Sequence, residues 1–269
     1  MRKNRSAPQR RDCVTSPAVT PIARVAAIYD IHGNLPALEA VLPEIRQAGV
    51  DRIVVGGDVV PGPMPREALA LLLQLDVPVD FIHGNGEREV IALMRGIETG
   101  SVPEAFREVM RWNAEQLQPY EEILAAWPSS ARLQIASLGD VLFCHATPRN
   151  DMEIFTRLTT EEHLVPVFQG VAEPLVVCGH THMQFDRTVG KTRVVNAGSV
   201  GMPFGEPGAY WLLLGPDVQL KRTLYDLEAA AERVRRSGYP QAQEFAAQNI
   251  LTPPAEGTML NAFARAEIK

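Results

Sequence analysis

Short apolar runs rich in Val, Ile and Leu recur along the chain, and glycine or a polar residue follows each one. These runs are Arg24–Tyr29, Asp51–Val55, Val77–Ile82, Asp140–Cys144 and Leu175–Cys178. Such continuous apolar runs are typical of strands that are buried on both faces. Helical periodicity over Leu35–Ala48 and Arg66–Leu75 separates the first three runs. This alternation predicts right-handed βαβ units and a parallel sheet.

The remaining segments add further predicted elements to this α/β pattern. Residues 103–127 predict two helices with a break near Pro119, which form either a cap or an edge layer. Three predicted strands then close a second sheet: Thr192–Asn196, Ala209–Leu214 and Gln219–Tyr225. Two predicted helices end the chain: Leu227–Ser237 and Gln241–Asn249. Because we find no internal repeat and no linker, we expect residues 22–269 to form a single domain.

Composition narrows the class of protein. The chain has 269 residues, of which 46% are hydrophobic and 22% charged, so it can bury a substantial core. Its formal net charge of -6 argues against a general nucleic-acid-binding surface. No run approaches the ~20 apolar residues of a membrane span. Residues 1–21 are basic and lack the apolar core of a signal peptide, so they predict a disordered tail.

Cysteine usage indicates a reducing compartment. The chain contains Cys13, Cys144 and Cys178, an odd and widely spaced set. Such a set argues against a disulfide framework and against a cysteine-based zinc site. We therefore expect a cytoplasmic protein.

Residue types that bind metals follow all five of the first apolar runs. They are Asp30 and His32, Asp58, Asn85, His145, and His180 and His182. In an open α/β sheet the carboxyl ends of the strands meet at one edge, and residues two apart on an extended segment point the same way. Each fragment alone is common in proteins, but the joint pattern predicts a metal site. Four imidazoles, two carboxylates and one amide are more ligands than one tetrahedral ion can bind. They suit two ions that share a carboxylate.

The same residues carry a family resemblance. DIHGN (30–34), GGD (56–58), GN (84–85), CHAT (144–147) and GHTH (179–182) resemble, in order and spacing, the calcineurin-like metallophosphoesterase superfamily. NAGSVGMP (196–203) resembles a segment of its small bacterial phosphodiesterase branch. The resemblance, from about Val25 to Tyr225, implies a four-layer α/β/β/α sandwich of two mixed sheets flanked by helices.

The resemblance also implies a ligand set for two divalent ions. One ion is expected to bind Asp30, His32, Asp58 and His182. The other is expected to bind Asp58, Asn85, His145 and His180, with Asp58 as the bridge. Nitrogen and oxygen donors without thiolate favour Mn, with Fe, Zn, Co or Ni as alternatives, over Ca or Mg.

The implied activity is that of a metal-dependent phosphodiesterase or nucleotide hydrolase. A hydroxide that bridges the metal ions would attack phosphorus, with Asp58, Asn85 and His145 as catalytic residues. Many members have His directly after the Gly-Asn, whereas this chain has Gly86. Without that imidazole we expect substrates with good leaving groups, such as nucleotides, dinucleoside polyphosphates or model aryl diesters. The expected partner is thus a small phosphorylated substrate and not a membrane, and the net charge disfavours nucleic acid.

Three residues are candidate substrate contacts. Arg149 is placed to bind phosphate, or else is a surface arginine. Asn34 either faces the phosphate or serves as a turn residue. Phe204 stands near the place where relatives often carry an arginine, and it either stacks on a base or packs internally.

Alternative functions stay open at this point. The runner-up enzyme is a phosphomonoesterase, which includes a protein phosphatase. A second class is a non-catalytic scaffold with the same fold, as in a retromer subunit of the superfamily. A third is a nuclease that holds DNA with the basic tail. The sequence leaves the physiological substrate, the native metals and the oligomeric state open.

Overall fold

Two mixed five-stranded sheets form the centre of the structure, a computed structural model that describes residues 22–100 and 102–268. The strands are β1 (Val25–Ile28), β2 (Arg52–Val55), β3 (Val79–Phe81), β4 (Ser130–Ile135), β5 (Gly139–Cys144), β6 (Leu175–Cys178), β7 (Phe185–Val189), β8 (Thr192–Asn196), β9 (Ala209–Leu214) and β10 (Val218–Thr223). The first sheet has the order β10-β9-β1-β2-β3, and the second has the order β4-β5-β6-β8-β7.

Helices cover the outer faces of the sheets, and the chain after β10 is helical. They are α1 (Leu35–Ala48), α2 (Pro65–Leu73), α3 (Asn85–Met94), α4 (Arg107–Leu117), α5 (Glu121–Ala125), α6 (Glu161–Phe168), α7 (Leu227–Arg235), α8 (Ala242–Phe245) and α9 (Glu256–Phe263). Short 3-10 helices at Glu104–Phe106 and Gln118–Tyr120 precede α4 and α5, and a π-helix at Ala246–Leu251 continues α8.

Alternation of side chains along the strands produces the layers. Val25 and Ala27 on β1 pack with residues of the second sheet such as Phe143, whereas Ala26 and Ile28 pack with the helices on the other face. The helices α1, α2 and α4 contribute to that outer core. Helix α6 packs on the outer face of the second sheet. The α/β/β/α sandwich of two mixed sheets is therefore confirmed.

Parallel pairing brings the strand ends together. In the first sheet β1, β2 and β3 are parallel, with Ile28 opposite Val55 and Val55 opposite Phe81. In the second sheet β5, β6 and β8 are parallel, with Phe143 opposite Val177. Consequently the loops that follow these strands leave each sheet at a common edge.

The structure corrects the prediction for the later strands. Thr192–Asn196, Ala209–Leu214 and Gln219–Tyr225 were expected to close the second sheet together. Only β8 joins that sheet, whereas β9 pairs antiparallel with β1 and β10 continues the first sheet. All three strands have apolar positions that suit either sheet, so strand pattern alone does not assign the partner.

Some elements escaped the sequence analysis altogether. The strands β4 and β7 are partly exposed edge strands with mixed polar residues, and α6 and α9 have only eight residues each. Helix α3, with ten residues, was also not predicted. The predicted basic tail lies outside the described residues. Residues 103–127, expected as a cap or edge segment, pack through α4 against α2 and α3. No helix within the described ranges is long and apolar enough to cross a membrane.

Tyr29, at the end of β1, links the two sheets. It is fully buried, and its hydroxyl donates a hydrogen bond of 3.1 Å to the carbonyl of Val177 in β6. A Cβ atom at Gly56 would lie 1.9 Å from the Tyr29 ring, and one at Gly179 would lie 2.6 Å from it. The glycines that follow β2 and β6 therefore leave the space that this ring occupies.

We predict that Tyr29→Phe lowers the free energy of unfolding by about 1 kcal/mol, because it removes one buried hydrogen bond. Tyr29→Ala should cost about 3–5 kcal/mol, because it also leaves a cavity between the sheets. Urea unfolding followed by circular dichroism measures both changes. Tyr120→Phe is the control and should stay within about 0.5 kcal/mol of the parent. An equally small effect of Tyr29→Ala would contradict the bridging role.

Candidate metal centre

The predicted metal ligands gather where the two sheet edges meet. His32 Nε2 lies 3.2 Å from His182 Nε2 and 3.7 Å from a carboxylate oxygen of Asp58. His145 Nε2 lies 3.1 Å from the side-chain oxygen of Asn85, and the His145 and His180 rings are 5.1 Å apart. Residues from loops after β1, β2, β3, β5 and β6 thus share one small volume.

The backbone at these loops has an unusual conformation. Among the described residues, the non-glycine residues with positive φ are all predicted ligands: Asp30 (52°), His32 (47°), Asp58 (50°), His180 (67°) and His182 (58°). This left-handed region is costly for residues with a Cβ, by about 1–3 kcal/mol each, and such strain concentrates at functional sites. The loops are therefore shaped to aim side chains at a common point at the expense of backbone energy.

Backbone carbonyls orient three of the imidazoles. Nδ1 of His32 lies 3.1 Å from the carbonyl of Pro61, Nδ1 of His145 lies 3.0 Å from that of Gly56, and Nδ1 of His182 lies 2.7 Å from that of Met202. A carbonyl only accepts hydrogen bonds, so each Nδ1 carries the proton. Each Nε2 then presents a lone pair to the cluster, which is the form that binds metals.

Acceptors face acceptors at the centre of the cluster. The Nε2 lone pairs of His32 and His182 are 3.2 Å apart, and Asp30 Oδ1 lies 3.4 Å from His182 Nε2. Asp30 Oδ1 is buried and has no hydrogen-bond partner among the described residues. A divalent cation satisfies all three atoms at once, so the residues fit a metal ion. Asp30, His32 and His182 form one such group, and Asp30, Asp58 and His145 form another.

Asp58 stands between the two histidine groups. Its Oδ2 lies 3.7 Å from His32 Nε2, and its Oδ1 lies 3.6 Å from His145 Nε2. The backbone N–H of Gly86, in the first turn of α3, donates to Oδ1 at 2.7 Å. The positive end of that helix therefore also stabilises a carboxylate at this position.

The pKa values of His32 and His180 favour neutral rings. Burial and then the adjacent His182 lower the pKa of His32 to about 3. Burial and then His145 lower the pKa of His180 to about 3. Burial alone would raise the pKa of Asp30, but His182 and the other imidazoles outweigh it and lower the pKa to about 2. At neutral pH these side chains are lone-pair donors that are ready for a cation.

Glu87 holds the loops that carry the ligands, and the sequence analysis missed it. Its buried carboxylate accepts hydrogen bonds from the backbone N–H of Asp58 (2.9 Å), Val60 (3.1 Å) and Gly84 (2.7 Å). Burial and the neighbouring Asp58 raise the pKa of Glu87 to about 7. The available signal was its position in the first turn of α3, where a glutamate can reach back to cap the helix.

The segment after β8 packs directly on the first metal loop. Ser199 Oγ donates to the carbonyl of Asp30 at 2.7 Å, and the Asn196 amide donates to the carbonyl of Gly179 at 2.6 Å. A Cβ at Gly201 would lie 1.8 Å from the carbonyl oxygen of Ile31. These contacts connect the segment to the loops after β1 and β6.

The predicted substrate contacts have partners inside the protein. Asn34 is buried, accepts from the N–H of Ala37 to cap α1, and donates to the carbonyl of Gly201 at 2.9 Å. Arg149 forms an ion pair with Glu153. Phe204 stacks on the His182 ring, with centroids 5.1 Å apart. Their substrate contacts stay predictions, whereas the internal contacts are observed.

Comparisons with known proteins agree with this geometry. The sequence pattern of the calcineurin-like phosphoesterase superfamily domain matches residues 24–215. An uncharacterised protein of Methanocaldococcus jannaschii is 26% identical over 239 residues, which cover 81% of this chain and 94% of that protein.

Two solved structures share most of the fold. A hypothetical protein from Pyrococcus horikoshii superposes with a TM-score of 0.72 at 20% identity, over 86% of this chain and 99% of that chain. A metallophosphoesterase from Sphaerobacter thermophilus superposes with a TM-score of 0.66 at 26% identity, again over 86% of this chain and 99% of that chain. Because the matched segment contains the strands and loops that bear the Asp and His cluster, this chain is a metallophosphoesterase that belongs to the calcineurin-like phosphoesterase superfamily.

Proposed function

We propose that the protein hydrolyses small phosphodiesters or nucleotides that have good leaving groups, with two divalent metal ions bound. One ion would be held by Asp30, His32, Asp58 and His182, and the other by Asp58, Asn85, His145 and His180. The observation that carries this proposal is the position of Asp58, whose two carboxylate oxygens each lie near a histidine of a different group. Mn is our first choice of metal, with Fe, Zn, Co or Ni as alternatives.

When bound, two such ions supply an activated water and offset negative charge on the phosphoryl oxygens. The protein's own contribution is positioning. Carbonyl partners lock the rings of His32, His145 and His182, and Glu87 fixes the backbone on both sides of the bridge. Such preorganised groups need little rearrangement when charge develops at phosphorus.

The position of Gly86 supports the preference for good leaving groups. A Cβ atom there would lie 2.1 Å from the carbonyl oxygen of Val60 and 2.9 Å from Asp58 Oδ1. This backbone leaves no room for an imidazole that could protonate a departing oxygen. His83 is another imidazole nearby that could act as the acid, but its Nδ1 faces Asp151, with Oδ2 at 3.9 Å. Leaving groups that depart as stable anions need no such acid.

The first prediction from this proposal concerns the bridge. With Mn present, we expect the protein to turn over bis(4-nitrophenyl) phosphate faster than 4-nitrophenyl phosphate. Asp58→Asn should reduce turnover by more than about a hundredfold. Loss of a residue that only hydrogen-bonds to a metal ligand already lowers metal affinity or activity about 10–100-fold, and Asp58 is a predicted ligand itself. Metal analysis should show fewer than two ions per chain. Asp140→Asn, at an exposed position, is the control. Full activity of Asp58→Asn would overturn the proposal, and faster monoester turnover would favour a phosphomonoesterase.

Removal of the metals should destabilise the fold. The clustered acceptors of His32, His182 and Asp30 repel one another without a cation. A ligand present at a hundred times its Kd stabilises the native state by about 2.7 kcal/mol. For a chain of this size, that corresponds to a fall in Tm on the order of 5–10 °C after treatment with a chelator. Differential scanning fluorimetry with added Mn measures recovery. A Tm that is insensitive to chelator and Mn would argue for a metal-free scaffold.

Glu87→Gln tests the positioning of the loops. Glutamine has one acceptor oxygen, so at least one of the three backbone N–H groups loses its partner. We expect a loss of about 1–3 kcal/mol in unfolding free energy. The metal concentration for half-maximal activity should rise about 10–100-fold, and excess metal should restore much of kcat. Glu228→Gln, on the exposed side of α7, is the matched control. Unchanged metal affinity would contradict this role for Glu87.

A further inference from the structure

A large cleft opens beside the candidate metal centre. Its volume is about 580 Å³, and the residues that line it include His32, Asp58, Asn85 and Gly86. Small-molecule sites usually have volumes of about 300–1,000 Å³ and mostly apolar walls. A group esterified to a phosphorus atom at the metal centre therefore has this cleft next to it.

Two separate segments supply the walls of the cleft. One is the start of the 103–127 segment, including Phe106, Val109 and Met110, and the other comprises Tyr239 and five residues between 241 and 249. The superfamily match ends at residue 215, so the second wall lies beyond it. The cleft therefore combines loops that lie within the superfamily match with a wall that lies outside it.

The apolar character of the cleft is visible at its lining. Phe106 and Met152 are large hydrophobic residues that are nevertheless 52% and 44% exposed. Tyr239 and Phe245, with 9% and 5% exposure, pack edge to face against each other in the C-terminal wall. Exposed apolar residues around a concave site mark a surface that gains stability when a ligand covers it.

The charge of the cleft excludes a second anion. None of the described residues that line it is Arg or Lys, whereas Glu89 and Glu244 are present. Glu89 is paired with Arg88. Glu244 is exposed and has no ion pair among the described residues. Apart from the predicted metal ligands His32 and Asp58, the remaining polar groups are uncharged and include the amides of Gln241, Gln248 and Asn249. A second phosphate in this cleft would face the carboxylate of Glu244, and no Arg or Lys among the described lining residues would offset its charge.

We propose that this cleft binds an uncharged aromatic group esterified to the phosphorus. The preferred substrates are then phosphodiesters with a single negative charge at the metal centre, in which the ester group that stays on the phosphorus, rather than the leaving group, is aromatic. This inference rests on the proposed phosphodiesterase function and narrows its substrate class. It favours such esters over the dinucleoside polyphosphates suggested by the sequence, because those carry additional phosphates.

The test uses three diesters that share a 4-nitrophenyl leaving group. The second ester group is methyl, phenyl or 4-carboxyphenyl, so the bond that breaks is the same in all three. With the metal-loaded full chain, kcat/KM for the phenyl diester should exceed that for the methyl diester roughly tenfold. The 4-carboxyphenyl diester should fall well below the phenyl diester, because its extra charge meets Glu244 and no cation.

Variants locate the effect in the cleft. Phe106→Ala and Met152→Ala should each reduce the phenyl-to-methyl ratio about threefold, as expected for lost apolar contact. Leu224→Ala, at a residue that is 69% exposed and outside the cleft, should leave this ratio unchanged. Glu244→Lys should raise kcat/KM for the 4-carboxyphenyl diester, whereas Glu228→Lys on α7 should not.

Calorimetry provides a readout that does not depend on turnover. Phenylphosphonate should bind the metal-loaded protein roughly tenfold more tightly than methylphosphonate, and Phe106→Ala should remove most of this difference. If none of the three diesters is hydrolysed, the proposed function fails, while this binding comparison still decides the cleft's preference. If all three are hydrolysed equally, or the 4-carboxyphenyl diester is best, the function stands and the cleft inference is overturned.

Discussion

The structure depends on a convergence of lone pairs that only a cation makes favourable. Nε2 of His32 and Nε2 of His182 are 3.2 Å apart. In both rings the proton is on Nδ1, which donates it to a backbone carbonyl, so each Nε2 carries a lone pair. The buried Asp30 Oδ1 joins them without a hydrogen-bond donor of its own. Buried acceptors without partners cost free energy, so the fold tolerates this cluster only because the surrounding elements hold it in place.

Packing between the two sheets holds this cluster of acceptor atoms in place. Tyr29 fills the space beside Gly56 and Gly179, which precede the ligands on two different strands. The Tyr29 hydroxyl also bonds to β6, so the first and second sheets keep a defined spacing. Against this rigid base the ligand loops adopt left-handed φ angles at Asp30, His32 and Asp58. Local backbone strain is thus balanced by burial elsewhere, as is common at functional sites.

Chemistry and selectivity come from different parts of the chain. The loops after the parallel strands carry the predicted metal ligands, and these loops fall within the superfamily match. The cleft beside them is built from the segment around Phe106 and from the C-terminal residues near Tyr239. Gly86 belongs to both regions, since it lines the cleft and also leaves Asp58 accessible to the α3 N-terminus. Substrate preference can therefore change in the cleft walls while the metal ligands stay the same.

Short-range patterns made much of this predictable from the sequence. A buried strand appears as an apolar run, and each ligand follows its run within a few residues, so β1, β2, β6 and the residues after them were recognisable. Motif order and spacing then indicated the superfamily and the sandwich. By itself, the sequence determined the strand ends, the donor types and the absence of a side chain at Gly86.

Only the tertiary structure decided how distant segments meet. It placed β9 beside β1, although the apolar pattern of β9 suits either sheet. It showed that the amide of Asn34 bonds to Gly201, that Glu87 clamps the backbone around Asp58, and that residues near 106 and 240 enclose one cleft. These features rest on contacts between residues far apart in the chain. No local periodicity or propensity encodes such contacts, because they arise from the packing of complete elements.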